Sequence, residues 1–382
     1  MSSRVAFIAF EPFPSPKGSG TRMAATARAL RSAGRDVELI SLPSRSVGTA
    51  PDGVHLRPVR VFERNYLERA LAFRDAVGRN LEASRPDVVH FRGVFEGQAA
   101  LAYAKRRGIP AIFEANGLPS VELQYHYPAV GRSMSMLGHL RSLEAQTLEA
   151  ADVVITQSET TLAFLRGRGL RPNTPAFVIP NGADVVPLAD TNARPGPPQV
   201  LYAGTLAPWQ GVAELLMAAR RCNRVRPVRF VLAGPVRNRW KKQLERHLRR
   251  LKVEDVVELT GPIPRDVLAR RIAAADVCVA PLRRDMRNKN QGCSPIKLYE
   301  YMAAGRGLLT TDLPCTREIV DETRGVLIDA PRPKRLAESV LSMLDDAEGT
   351  RRLGRAARAW VEQHATWQHR IRALKDVYER FC

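Results

Sequence analysis

Short apolar runs rich in β-branched residues alternate along the chain with longer stretches whose apolar positions recur every three or four residues. In the first half the runs predict strands at Val5–Phe10, Val37–Leu42, Asp87–Phe91, Ile109–Glu114, Val153–Thr156 and Phe177–Ile179, with helices between them. The first helix is predicted over Thr21–Ala33, with Met23, Ala27 and Leu30 on one face and Gly34 placed to end it in the left-handed region. The stretch "ADTNARPGPPQ" (189–199) is hostile to both helix and strand and reads as a linker.

Beyond that stretch the pattern restarts. Val200–Ala203, Val228–Ala233, Val256–Leu259, Asp276–Pro281, Gly307–Thr311 and Val326–Ile328 predict strands, again with helices between, and from about Arg332 the chain is helical without further strands. Strands separated by helices make parallel sheets with crossover connections, so the expectation is two similar α/β domains in tandem. Ligands of such sheets bind at the carboxyl ends of the strands, which predicts a site in a cleft between the domains.

A chain of 382 residues with 45% hydrophobic and 26% charged positions has the composition of an ordinary folded protein. The run Val5–Phe10 is far too short for a membrane span and lacks a signal-peptide cleavage site, so the expected location is the cytoplasm. The five scattered cysteines form no C-x-x-C pair and read as reduced thiols, giving neither a disulfide framework nor a zinc site. The net charge of +20 changes the picture more, because a field of that sign attracts polyanions. In "VRNRWKKQLERHLRRLKV" (236–253), Val236, Trp240, Leu244, Leu248 and Leu251 recur at helical spacing while Lys and Arg fill the other face, the pattern of a basic amphipathic helix. Such a field suits nucleic acid, an anionic membrane surface held in a salt-reversible way, or phosphorylated substrates.

Candidate chemistry concentrates in the second half. "YAGTLAPWQGV" (202–212) reads as a strand, a glycine-containing loop and a helix start near Gly211, where free N–H groups suit an anion. "FVLAGPV" (230–236) and "LTGPI" (259–263) leave backbone exposed at strand tips, at Gly234, Gly261 and Ile263, against which a planar base can lie. In "NQGCSPIKLYEYMAAG" (290–305), Ser294 is placed to cap a helix with Pro295 at its first position, and Ile296 and Lys297 offer N–H groups to a phosphate. Arg283, Arg284, Arg287 and Lys289 crowd the preceding loop, and Glu300 lies one turn on, within reach of vicinal hydroxyls. In the first half, Gly18, Ser19 and Gly20 follow the first strand in a loop but miss the dinucleotide fingerprint, which needs a third small residue where Met23 stands.

Taken in order, "DVVHFRG", "ADVVITQSE", "VIPNGAD", "YAGTLAPWQGV", "SPIKLYEYMAAG" and "DLPCTREI" resemble the retaining nucleotide-sugar glycosyltransferases of family four, over nearly the whole chain. The resemblance implies a GT-B fold, an α/β architecture of two Rossmann-like domains whose parallel sheets face across a cleft. It implies an acceptor domain over 1–188, a nucleotide-sugar domain over 189–364, and a last helix, about 365–382, crossing back to the first. The donor would be a nucleotide-diphosphate sugar and the acceptor a glycan, a lipid-linked saccharide or a small molecule, with no cofactor. Gly18, Ser19 and Gly20 would lie close to the donor phosphates and the acceptor, and Glu300 would hold the ribose.

Several positions depart from the family. Thr205 and Gln210 stand where an arginine and a lysine usually meet the diphosphate, and Gly292 stands eight positions before Glu300, where a sugar-binding glutamate is usual. Asn116 occupies the place of a histidine that contacts the transferred sugar. With both usual cations absent, Lys297 is the candidate to hold the leaving diphosphate, and Asn116 and Lys297 are the catalytic candidates. His126 is a candidate for the acceptor cleft, whereas His90 and Trp209 read as packing residues. No metal site is expected, because there is no Asp-x-Asp at a strand end and no His/Cys cluster. No zinc finger, aromatic RNA-binding signature or helix-turn-helix supports a nucleic-acid partner, although the charge would suit one. A nucleotide-sugar epimerase of the same fold is the alternative enzyme.

Overall fold

The computed structural model describes residues 2–15, 17–44, 50–185 and 196–381. The chain divides into two compact units, Met1–Pro180 with Asn290–Cys293 and Gln368–Cys382, and Asn181–Lys289 with Ser294–Trp367. Residues 189–195 of the stretch read as a linker, and the 188/189 boundary with them, lie outside the described residues.

The first unit runs β1 (Arg4–Phe13), α1 (Gly18–Ser32), β2 (Asp36–Pro43), β3 (Val54–Pro58), α2 (Tyr66–Ser84), β4 (Val88–Phe91), α3 (Val94–Arg107), β5 (Ala111–Ala115), α4 (Pro119–His126), α5 (Pro128–Arg132), α6 (Met134–Ala150), β6 (Val153–Thr156), α7 (Glu159–Arg166) and β7 (Ala176–Val178). Its strands form one parallel sheet in the order β3-β2-β1-β4-β5-β6-β7. Helices cover both faces, so Val5, Phe7, Ile8 and Ala9 of β1 are all fully buried, which is why the sequence shows a continuous apolar run there and not an alternation. The strand order reverses between β1 and β4, and such a switch point opens a crevice at the carboxyl ends of the strands.

Two sequence expectations change here. β3 was not anticipated: it is an edge strand, largely exposed, and pairs with β2 through a stretch, VHLRP, with little apolar content. Gly18, Ser19 and Gly20 are not a loop but the first turn of α1, with Lys17 as its N-cap. Gly20 is small for a steric reason, since a Cβ there would run into the Ser15 carbonyl.

The second unit runs β8 (Gln199–Ala203), α8 (Val212–Asn223), β9 (Arg229–Ala233), α9 (Asn238–Leu251), β10 (Val257–Gly261), α10 (Arg265–Ala273), β11 (Val277–Ala280), α11 (Ile296–Ala303), β12 (Gly307–Thr311), α12 (Pro314–Arg317), β13 (Val326–Ile328), α13 (Pro333–Asp345) and α14 (Ala347–His364). The sheet is again parallel, in the order β10-β9-β8-β11-β12-β13, with its switch point between β8 and β11. α8, α9 and α13 pack on one face through Leu215, Leu216, Leu244, Leu248, Leu336 and Val340. α11 and α14 pack on the other through Leu298, Met302, Ala357 and Val361. The last helix, α15 (Trp367–Phe381), gives Leu374, Val377 and Tyr378 to the core of the first unit. Among the described residues no helix is long and apolar enough to cross a membrane.

Candidate functional site

The carboxyl edge of the second sheet gathers most of the predicted donor residues. Gly204 N donates to Ala233 O at 2.8 Å and Gly234 N to Gly261 O at 2.9 Å, so the tips of β8, β9 and β10 are stitched side by side, with Ile263 just beyond. Gly211 takes φ +72° as the N-cap of α8, and a Cβ there would run into the Pro281 carbonyl after β11, so only glycine fits.

Lys297 is turned toward this edge. Its Nζ donates to Gln210 Oε1 at 2.7 Å and to Tyr202 OH at 3.0 Å, and lies 4.1 Å from the centre of the Tyr202 ring. A Cβ on Gly204 would come within 2.9 Å of that nitrogen, so the bare glycine backbone and the ammonium share one spot. The Tyr202 hydroxyl in turn donates to Thr205 O at 2.8 Å. Thr205, Gln210 and Lys297 are therefore one hydrogen-bonded group, and the cation stands beside the position at which the family motif would place one. The arginines that crowd the sequence are otherwise engaged: Arg283 pairs with Glu214 at 3.4 Å, and Arg284 donates to the carbonyls of Asp312 and Asp329 at 2.8 and 2.7 Å.

α11 begins at Ile296 with Pro295 as its N-cap, one residue later than expected. Ser294 does not cap it. Its hydroxyl accepts from Asn181 N at 3.0 Å and pairs with Tyr299 OH at 3.2 Å, while Asn181 Nδ2 donates to Ser294 O at 2.6 Å, so the serine anchors the loop instead and leaves the first amides of α11 without a side-chain cap. One turn on, Glu300 borders a cavity of about 210 Å³ whose lining includes Asp184, Arg265, Asp266, Leu268 and Ala304. Arg265 stands 3.8 Å from its carboxylate. Burial raises the Glu300 carboxyl above its ordinary range, Asp184 adds to the rise, and Arg265 and Lys297 oppose it. A larger hollow, about 410 Å³, lies at the amino ends of β9 and β10 and touches none of these residues.

Gly292 accounts for its own departure from the family. It sits at φ +79°, with Thr160 Cβ 2.9 Å and Ser158 Oγ 3.1 Å from where a Cβ would be, so a glutamate there would be both strained and crowded. The neighbouring Gln291 is buried, accepting from Leu118 N at 2.8 Å and donating to Glu122 at 2.8 Å. It is the last residue of a π-helical turn, Met286–Gln291.

The carboxyl edge of the first sheet carries a polar network that the sequence reading missed. Glu114 on β5 is fully buried and accepts from Arg22 Nε at 2.9 Å and Thr26 Oγ1 at 3.2 Å, with His90 Nε2 3.4 Å away. Burial alone would raise its pKa, but Arg22, Arg92 and His90 hold it well below the carboxylate range. Burial keeps His90 low, hence neutral, and its Nδ1 lies 3.1 Å from Tyr378 OH, which fits the packing role expected of it. Arg92, at the tip of β4, pairs with Glu11 at 2.8 Å. With its amide oxygen turned to that guanidinium, Asn116 accepts from Arg92 at 2.7 and 3.1 Å, so the catalytic candidate at the end of β5 is oriented by an arginine at the end of β4. Glu96, in the first turn of α3, accepts from Phe10 N at 3.1 Å, and burial lifts its carboxyl to about 7. His126 is the last residue of α4 and half-buried. The signal for Arg92 was in the chain, as a charged residue directly after the buried run Val88–Phe91.

Trp209 is 7% exposed and packs edge-on against Trp240, as a core residue does. Among the described residues no three His, Cys, Asp or Glu side chains are placed to hold a metal ion.

A pair of parallel doubly wound units with polar groups gathered at strand tips is an architecture that many enzymes share, and the relatives of this chain narrow the class. Residues 17–182 match the "Glycosyl transferase 4-like domain" and residues 188–360 the "Glycosyl transferases group 1" family. Glycogen synthase of Mycobacterium tuberculosis (strain CDC 1551 / Oshkosh) is 29% identical over 304 residues, covering 77% of this chain and 69% of that protein. Among solved structures, the sucrose-phosphate synthase from Thermosynechococcus elongatus has a TM-score of 0.83 at 20% identity, covering 99% of this chain and 98% of its own. Anabaena Alr3699/HepE, solved in complex with UDP-glucose, has a TM-score of 0.74 at 16% identity, covering 99% and 100%. The chain belongs to the family-four glycosyltransferases and has the GT-B fold.

Proposed function

We propose that this glycosyltransferase takes a sugar from a nucleotide-diphosphate donor and passes it, with retention of anomeric configuration, to a glycan, a lipid-linked saccharide or a small molecule. The observation that carries the reading is Lys297, laid from the first turn of α11 onto the tip of β8. An ammonium beside uncapped helix amides and an exposed glycine backbone is a preorganised seat for a leaving diphosphate, and charge developing there is met without solvent reorganisation. In this reading Ile296 and Lys297 hold the diphosphate with Gly204, Thr205 and Gln210, Glu300 and Arg265 take the ribose beside the cavity, and Gly234, Gly261 and Ile263 border the base. Ser294 acts on the donor side through the loop it anchors. The first unit serves the acceptor, with Asn116, Gly18, Ser19, Gly20 and His126 as its candidates. The UDP-glucose bound by Alr3699/HepE supports the donor class. The strong positive charge supports work at an anionic membrane surface.

The test is a thermal-shift panel of UDP-, GDP-, TDP- and ADP-sugars, since a ligand that binds only the folded state at a hundred times its Kd adds about 2.7 kcal/mol of apparent stability. The donor found would then be incubated with acceptors and the anomeric coupling of the product read by NMR. No shift with any nucleotide sugar overturns the donor assignment. An inverted product overturns retention, and isomerisation of the donor without acceptor replaces transfer with epimerisation.

A further inference from the structure

We infer that the outer face of α9, extended by the end of α8, is a docking surface for an anionic lipid bilayer; the inference rests on the membrane reading above and gives it a location. Between residues 237 and 252 the chain carries eight Lys and Arg against one Glu. Leu244 and Leu248 are buried in the core of the second unit, so the apolar stripe is spent on the sheet and the basic face is what α9 presents outward.

The state of those cations sets α9 apart. Lys241, Lys242, Arg246, Arg249, Arg250 and Lys252 are all exposed, and among the described residues none has a carboxylate within ion-pair distance. Several helical cations elsewhere in the same unit are matched: Arg270 with Asp266, Lys334 with Glu338, Arg351 and Arg355 with Glu348, Arg358 with Glu362. α9 spans about 21 Å, and Lys242, Arg246 and Arg249 follow one another within about one Debye length at physiological salt, so they act as a single field. α8 packs beside α9 on the same face of the sheet, and its end adds exposed Arg221 and Arg224 with Val225, an aliphatic side chain 71% exposed.

An exposed basic face with an apolar side chain at its margin fits the headgroup region of an anionic bilayer. It suits a nucleic acid less well, because the one aromatic on the helix, Trp240, is packed against Trp209 and overlaid by Arg239 and cannot offer a stacking surface to bases.

The test is co-sedimentation of the full chain with vesicles of phosphatidylcholine mixed with phosphatidylglycerol, against pure phosphatidylcholine, at low and high salt. Two variants lose equal charge from the same unit: Lys242→Gln/Arg246→Gln/Arg249→Gln/Arg250→Gln on α9, and Arg270→Gln/Lys334→Gln/Arg351→Gln/Arg355→Gln at the matched positions. The expected result is salt-reversible binding to the anionic vesicles only, weakened at least about tenfold by the α9 variant and less than about twofold by the other. Equal weakening by both variants, no binding by the parent chain, or displacement of the vesicles by an oligonucleotide at equal phosphate concentration would each overturn the assignment. The donor-induced thermal shift, read on the same preparations, reports the glycosyltransferase assignment separately and keeps folding under check.

Discussion

Lys297→Ala is the substitution that most directly examines the site. Its structural cost is small, because the partners left behind have other recourse: Tyr202 OH keeps its bond to Thr205 O at 2.8 Å, and the amide of half-buried Gln210 can turn to solvent. Loss of two half-exposed hydrogen bonds without an orphaned group is worth about 1 kcal/mol, a few degrees in Tm. Its catalytic cost is of another size. A fixed positive donor aimed at developing charge contributes about 3–4 kcal/mol to the transition state, which corresponds to a loss in kcat of about 10²- to 10³-fold. The assay is release of nucleoside diphosphate at saturating acceptor, with kcat and KM for the donor determined separately beside a thermal melt. Lys297→Arg should recover part of kcat, limited by the longer planar group. Because Nζ and Gln210 Oε1 are the two ends of one 2.7 Å contact, the exchanged pair Lys297→Gln/Gln210→Lys should recover more than Lys297→Gln alone. A kcat within about threefold of the parent in Lys297→Ala, or a fall in kcat matched by collapse of the melt, refutes the argument.

Glu300→Gln should weaken donor binding about ten- to a hundredfold, from the loss of a charge-assisted bond to the ribose, and calorimetry with unchanged nucleotide affinity would remove it from the site. Glu96 is raised from 4.5 to about 7 by burial, so the folded state holds its proton more tightly than the unfolded chain. Its contribution is fully present below pH about 4.5 and is lost as pH rises through 7, up to about 3 kcal/mol, and Glu96→Gln should flatten that stretch of the stability profile in denaturant melts and gain on the parent at pH 8. Gly211→Ala, with a left-handed φ and the Pro281 carbonyl in the way, should cost about 1–3 kcal/mol in the same melts; a neutral result would show that the α8 loop yields freely.

The sequence pattern located the strands that lie deep in the sheets because burial on both faces leaves an unbroken apolar run, as in Val5–Ala9 and Val277–Ala280. It passed over β3, whose exposed residues carry no such run. Gly18 and Gly20 read as a loop because glycine is a poor helix former, yet Gly20 lies in a helix whose first turn must clear Ser15. At the site, residue types and order pointed to Lys297 and Glu300, but partners distant in sequence were invisible: Tyr202 lies 95 positions from Lys297, and Arg22 lies 92 from Glu114. Such pairs are made by topology, which places the tips of separate strands side by side. The departure at 292 was visible as a missing glutamate, and its cause was not, because the backbone angle there depends on Ser158 and Thr160.

The core of the first unit includes Leu374, Val377 and Tyr378 from α15, and Tyr378 also meets the buried His90. During synthesis, the first 180 residues therefore leave the ribosome with part of one face of their sheet uncovered, and it stays so while nearly two hundred more are added. At about 5–20 residues per second that interval is about ten to forty seconds, long for an exposed apolar surface of this kind. The prediction is that nascent chains stalled before residue 368 are bound by holding chaperones and cut readily by protease within β1–β7, and that chains released after residue 381 are protected. Equal protection of both would show that the first unit closes without its last helix.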